Sequence, residues 1–160
     1  MGRDKPGKPR RQRPMGPDRD QVTGPAAHTH DGFDIADFTD PNGRPVDHKL
    51  LGDLVAAAYD GCTTCQDPLL TFMVEDPATS ARTVELACVA IHGMFGGLPQ
   101  SMTDEHAPGS TSSPEFRRLA RVGLDGENDA MFRECERMSL AQRRAAVNTA
   151  MDTLIGTMPY

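Results

Sequence analysis

The chain has 160 residues, of which 38% are hydrophobic and only 5% aromatic, with no Trp, nine Met and a formal net charge of −6. That length suits one domain with a tail, and the low apolar share points to a portion of the chain that does not fold. No apolar run approaches the roughly 18 residues of a membrane span, and no apolar stretch follows the N-terminal positive charge as it would in a signal peptide. The expected setting is therefore the cytoplasm, with no membrane partner. The four cysteines are then expected as thiols, metal ligands or redox groups rather than structural disulfides.

The charge is unevenly placed. Residues 1–19 hold seven basic side chains against two acidic ones, a local balance of +5, so the remainder carries −11. A body of that sign repels phosphate backbones, which argues against nucleic acid as a partner except through the tail. From Met1 to Ala27 the chain is prolines, glycines and charges, which offer too little apolar surface to offset the entropy of ordering. Residues 1–27 are read as a disordered Pro/Arg-rich tail. His28-x-His30-Asp31 follows and carries metal-ligand residue types, but nothing in the neighbouring sequence would hold them in geometry. Residues 28–46 form an arm or turn segment. Phe33, Ile35 and Phe38 alternate with acidic residues before the turn signal Asp40-Pro41-Asn42-Gly43, so a short β-hairpin arm is one reading and a protein-docking segment is the other.

Residues 47–158 read as a helical domain. A first helix runs from about Asp47 to Tyr59, with Leu50, Leu51, Leu54, Val55 and Ala58 on one stripe and Gly61 as its stop. Asp67-Pro68 offers an N-cap and a proline at the first helical position, which predicts a short apolar helix containing Leu69, Leu70, Phe72, Met73 and Val74. Asp76-Pro77 repeats the signal and opens a longer helix to about Phe95, apolar on nearly every face between Val84 and Phe95. Residues 99–113 are a polar loop, long enough to be mobile or functional. Ser113-Pro114 caps the next helix, a turn falls between Gly123 and Gly126, and a helix follows over about 127–138 with Met131, Phe132, Cys135 and Met138 at core spacing. Ser139 and Gln142 make a capping box for the last helix, whose buried side is read as Leu140, Val147, Met151, Leu154 and Met158. The expected fold class is all-α: a compact bundle of five to six helices around a central apolar helix (about 77–95).

The sharpest chemical feature is Cys62-x-x-Cys65 followed by Cys88-x-x-x-His92. Two thiolates two residues apart can grip one metal from a loop, and residues at i and i+4 on a helix point the same way, so Cys62, Cys65, Cys88 and His92 form a candidate metal set that would suit zinc. Against it, Cys88 shares a stripe with Val84, Ile91 and Phe95, where a cysteine is an ordinary small hydrophobe. A redox dithiol at Cys62/Cys65 is a further reading, weakened because the pair precedes the predicted cap at Asp67 instead of occupying the first turn of a helix. No phosphate loop, nucleophile elbow or zinc-protease motif is present, so the balance leans away from an enzyme and no cofactor is expected unless zinc binds. The arginines at 117, 118, 121, 143 and 144 read as exposed faces. The preferred functional reading is a non-enzymatic accessory or regulatory protein that binds another protein. The alternatives are a thiol- or zinc-dependent redox sensor or enzyme using Cys62/Cys65, and a nucleic-acid accessory factor using the basic tail. The sequence gives no hint of a small-molecule ligand.

Overall fold

The computed structural model describes residues 30, 43–127 and 129–158. The tail reading (1–27) and most of the arm, including the β-hairpin alternative, lie outside the described residues. Among those described there is no strand, and the fold is an all-α bundle of six helices: α1 His48–Tyr59, α2 Thr63–Met73, α3 Pro77–Phe95, α4 Pro114–Asp125, α5 Ala130–Arg137 and α6 Leu140–Thr157, with a 3-10 turn at Gln100–Met102. None of these helices is long and apolar enough to cross a membrane.

Local chemistry explains most of the boundaries. Asp47 caps α1 by accepting from the Leu50 amide, and Asp76 caps α3 by accepting from the amides of Ala78 and Thr79. The two starts are tied together, because the Asp47 amide donates to Thr79 Oγ1 while that hydroxyl donates to Asp76 Oδ2. Ser113 caps α4, and Ser139 with Gln142 forms the complete capping box at α6. Each such cap is worth about 1 kcal/mol.

α3 lies at the centre, packed against α6, α5 and α4 and more lightly against α1 and α2. Its N-terminal half is fully enclosed, with Thr79, Ser80, Thr83 and Val84 at zero exposure. The buried hydroxyls are satisfied within the bundle: Ser80 donates to Met73 O and Thr83 to Thr79 O. The last turns of the same helix are different, since Val89 is 63% and Phe95 66% exposed. The all-round apolar pattern there does not signal burial on every side. Leu140 is also out of the core, at 52% exposure, because it is the first residue of α6 and faces away from the bundle.

The expectation that the arginines are all exposed is corrected at two positions. Arg117 is buried, with 4% exposure, and donates to Ser112 O and Glu105 O. Those bonds, with Ser110 and Ser112 hydroxyls donating to Ser101 O, tie the 99–113 loop down. Arg143 donates to the carbonyls of Cys135, Met138 and Val74, joining the ends of α2 and α5 to α6. Helical charge patterning cannot show this, because the acceptors are backbone carbonyls on other elements. Arg118, Arg121 and Arg144 do pair at or near the surface, with Glu134, Asp125 and Asp67 respectively.

Candidate thiol and metal centre

The turn between α1 and α2 is three residues long and tightly specified. Gly61 has φ +69°, the left-handed conformation that costs a side-chain-bearing residue about 1 kcal/mol or more. The Gly61 amide donates to Ala58 O and the Cys62 amide to Ala57 O. This pair of bonds is a Schellman C-cap on α1. Cys62 then serves at once as the N-cap of α2, and the Gln66 amide bonding to Cys62 O closes the first turn. The expected helix start at Asp67-Pro68 is therefore wrong: α2 begins at Thr63, and Pro68 sits inside it. Propensity was overridden by packing, since continuing the helix back through Thr64 and Cys65 puts Cys65 into the core at 1% exposure. The consequence is chemical. Cys62 and Cys65 occupy the cap and first turn of a helix, where the backbone presents positive partial charge to sulfur.

His30 completes the centre. Its side chain is 11% exposed and its Nδ1 lies 2.7 Å from Oδ2 of Asp60, the C-cap residue of α1. One ring nitrogen of His30 and the sulfurs of Cys62 and Cys65 all lie within 4.8 Å of one another. Two of the four proposed ligands are thus gathered, and their companion is a residue that sequence spacing set aside. The signal for it was present in His28-x-His30-Asp31. What sequence could not supply was the carboxylate of Asp60, 30 residues away, that holds the ring.

Cys88 and His92 fall outside this group. Cys88 lies where α3 meets α4 and α5, lining a cleft with Ala120 and Met131, and His92 is exposed on α3. Burial pushes the Cys88 thiol up to about 12, with the nearby Glu85 carboxylate adding to the rise. Cys135 is also pushed up to about 12, first by burial, with Arg143 opposing and Glu134 and Glu85 reinforcing. Burial thus favours the protonated thiol at both, Cys135 within the core and Cys88 half-buried against it. None of the four cysteines, all among the described residues, is in a disulfide.

The cleft beside Cys88 is the second feature. It holds about 300 Å³ and is bounded by Arg82, Glu85, Val89, Leu98, Leu124 and Glu127. Its apolar rim is exposed, with Val89 at 63% and Leu124 at 56%. Charged residues are part of its lining, where the largely enclosed Arg82 pairs with Glu85, and Glu85 also meets Arg44.

The fold and these sites define an all-α protein with a histidine–dithiol cluster at a helix start and an apolar cleft on another face. Comparison with protein-family models, with curated proteins and with solved structures gives no match to this chain.

Proposed function

We propose that this is a non-enzymatic regulatory or accessory protein that binds another protein, seating an apolar face of a partner helix in the cleft between α3, α4 and α5. The observation that supports this reading is the exposure of Val89 and Leu124 at a hollow lined by apolar side chains together with Arg82, Glu85 and Glu127. Exposed apolar side chains gathered at a groove and edged by charges are the pattern of helix-in-groove recognition. A volume of about 300 Å³ lies at the bottom of the range for small-molecule sites but accommodates a few anchoring side chains. The excess of negative charge outside residues 1–19 favours a partner with a basic flank. The reading places the protein in the cytoplasm, since four unbridged cysteines suit a reducing compartment.

A photo-crosslinking residue at position 89 should join the full chain to one identifiable protein, and Leu124→Glu should abolish that product without lowering the melting temperature. Leu124 is more than half exposed, so the substitution should change stability by no more than about 0.5 kcal/mol. Crosslinking that survives Leu124→Glu, or joins only a second copy of this chain, overturns the reading.

The thiol-dependent alternative has an observation of its own. Cys62 and Cys65 stand together at the N-cap and first turn of α2, beside His30. The nucleic-acid alternative depends on residues 1–27, which lie outside the described residues.

A further inference from the structure

We infer that His30, Cys62 and Cys65 bind one zinc ion, with Asp60 as the carboxylate that orients the imidazole. The inference is independent of the partner-binding reading, because it concerns the opposite chemistry on a different turn of the bundle.

The donor set comes first. Two thiolates and an imidazole in a tetrahedral arrangement select zinc among the common divalent ions. Zinc–sulfur bonds of about 2.3 Å and zinc–nitrogen bonds of about 2.0 Å put neighbouring ligand atoms roughly 3.5 to 3.8 Å apart in a tetrahedron. The three ligand atoms already lie within 4.8 Å of one another, so an ion need draw them together by no more than about 1 Å. Such a movement falls within side-chain rotation for Cys62 and His30, both only part-buried.

The second observation is Asp60. Metal-bound histidines characteristically donate their other ring N–H to a carboxylate or carbonyl, which fixes the tautomer and orients the ring. A carboxylate only accepts, so the 2.7 Å contact to Asp60 Oδ2 places the hydrogen on His30 Nδ1. A zinc-bound imidazole is neutral, so in the proposed site its lone pair would be on Nε2, which is buried. Against a redox dithiol, Cys65, at 1% exposure, is poorly placed for exchange with another thiol.

Binding is balanced simply. Each S–H bond breaks, a zinc–sulfur bond replaces it, and two protons pass to solvent, so affinity falls as pH is lowered. Three protein ligands leave the fourth tetrahedral position to water. The ion would fasten His30 to the α1–α2 turn and so join the segment before the bundle to the bundle itself.

The test uses the full chain, reduced and reconstituted with zinc or cobalt(II). One metal per chain is expected, with sulfur-to-cobalt charge-transfer absorption and X-ray absorption showing two sulfur ligands. His30→Ala and Cys62→Ser should each abolish stoichiometric binding. Asp60→Asn should keep the absorption bands but lower affinity about 10- to 100-fold, a graded effect that misfolding would not produce. Cys88→Ala and His92→Ala should change neither stoichiometry nor spectrum. Absence of metal and of cobalt–thiolate absorption after reconstitution overturns the inference. So does binding that survives His30→Ala but is lost with Cys88→Ala or His92→Ala.

Discussion

The two pairs of cysteines in this protein differ in their polar neighbours rather than in burial, since Cys65 is as enclosed as Cys135 and Cys62 as partly buried as Cys88. Cys62 and Cys65 stand at a helix start beside an imidazole, at a turn fixed by Gly61. Cys88 and Cys135 lie where α3 and α5 meet, and their thiols are pushed up to about 12, chiefly by burial. The lesson is that sulfur chemistry follows placement. Helix starts and neighbouring donors favour a liganding thiolate, whereas apolar packing holds the thiol protonated and makes it a filler.

Alkylation tests that contrast most sharply. A shift from 9.0 to about 12 lowers the thiolate fraction near pH 8 by about three powers of ten. Cys88 and Cys135 should therefore react with iodoacetamide about 1,000-fold more slowly in the native protein than in urea. Peptide-resolved labelling by mass spectrometry checks this, and native rates within tenfold of the unfolded ones would break the distinction. In zinc-loaded protein a chelator should accelerate labelling at Cys62 and leave Cys88 unchanged.

Alkaline stability gives the next effect. An unfolded thiol releases its proton near 9.0, whereas Cys88 and Cys135 in the fold hold theirs until about 12. Between those values the unfolded state binds fewer protons, so stability is fully present below pH 9 and declines as pH rises towards 12. Each thiol contributes a slope of up to about 1.4 kcal/mol per pH unit. Urea denaturation of the native sequence and of Cys135→Ala across this window should give a shallower decline for the variant. Equal slopes would show that Cys135 does not titrate with unfolding.

The smallest effect sits at the turn that carries Cys62 into the start of α2. Gly61→Ala meets no neighbouring atom within 4 Å, so its cost comes only from the φ of +69°. A loss of about 1 kcal/mol is expected in urea denaturation. If the turn positions the sulfurs, the same variant should weaken zinc binding while Gly93→Ala, in open space on α3, does not. Identical metal affinity in both variants would detach the turn from the centre.

Much of the helical architecture was legible because its signals are local. Asp47, Asp76, Ser113 and the Ser139/Gln142 pair each cap a helix through bonds spanning two or three residues. Such bonds need only a few neighbouring residues, so their signals can be read locally. Pro68 misled for the same reason: it is a strong local start signal, yet burial of Cys65 carried α2 past it.

The candidate site was half legible. Cys62 and Cys65 could be paired from spacing alone, but their third companion could not. The choice between His92 on α3 and His30 before the bundle depends on how α1, α2 and α3 cross. The burial of Arg117 and the carbonyl contacts of Arg143 likewise depend on loops and helix ends meeting across the bundle. The sequence by itself determined the all-α class and the starts of the helices capped by Asp47, Asp76, Ser113 and Ser139, since caps and apolar periodicity act within a few residues. Only the tertiary structure decided which thiols gather beside a histidine and which do not, because a side chain's solvation and its neighbours are set by packing between segments far apart in the chain.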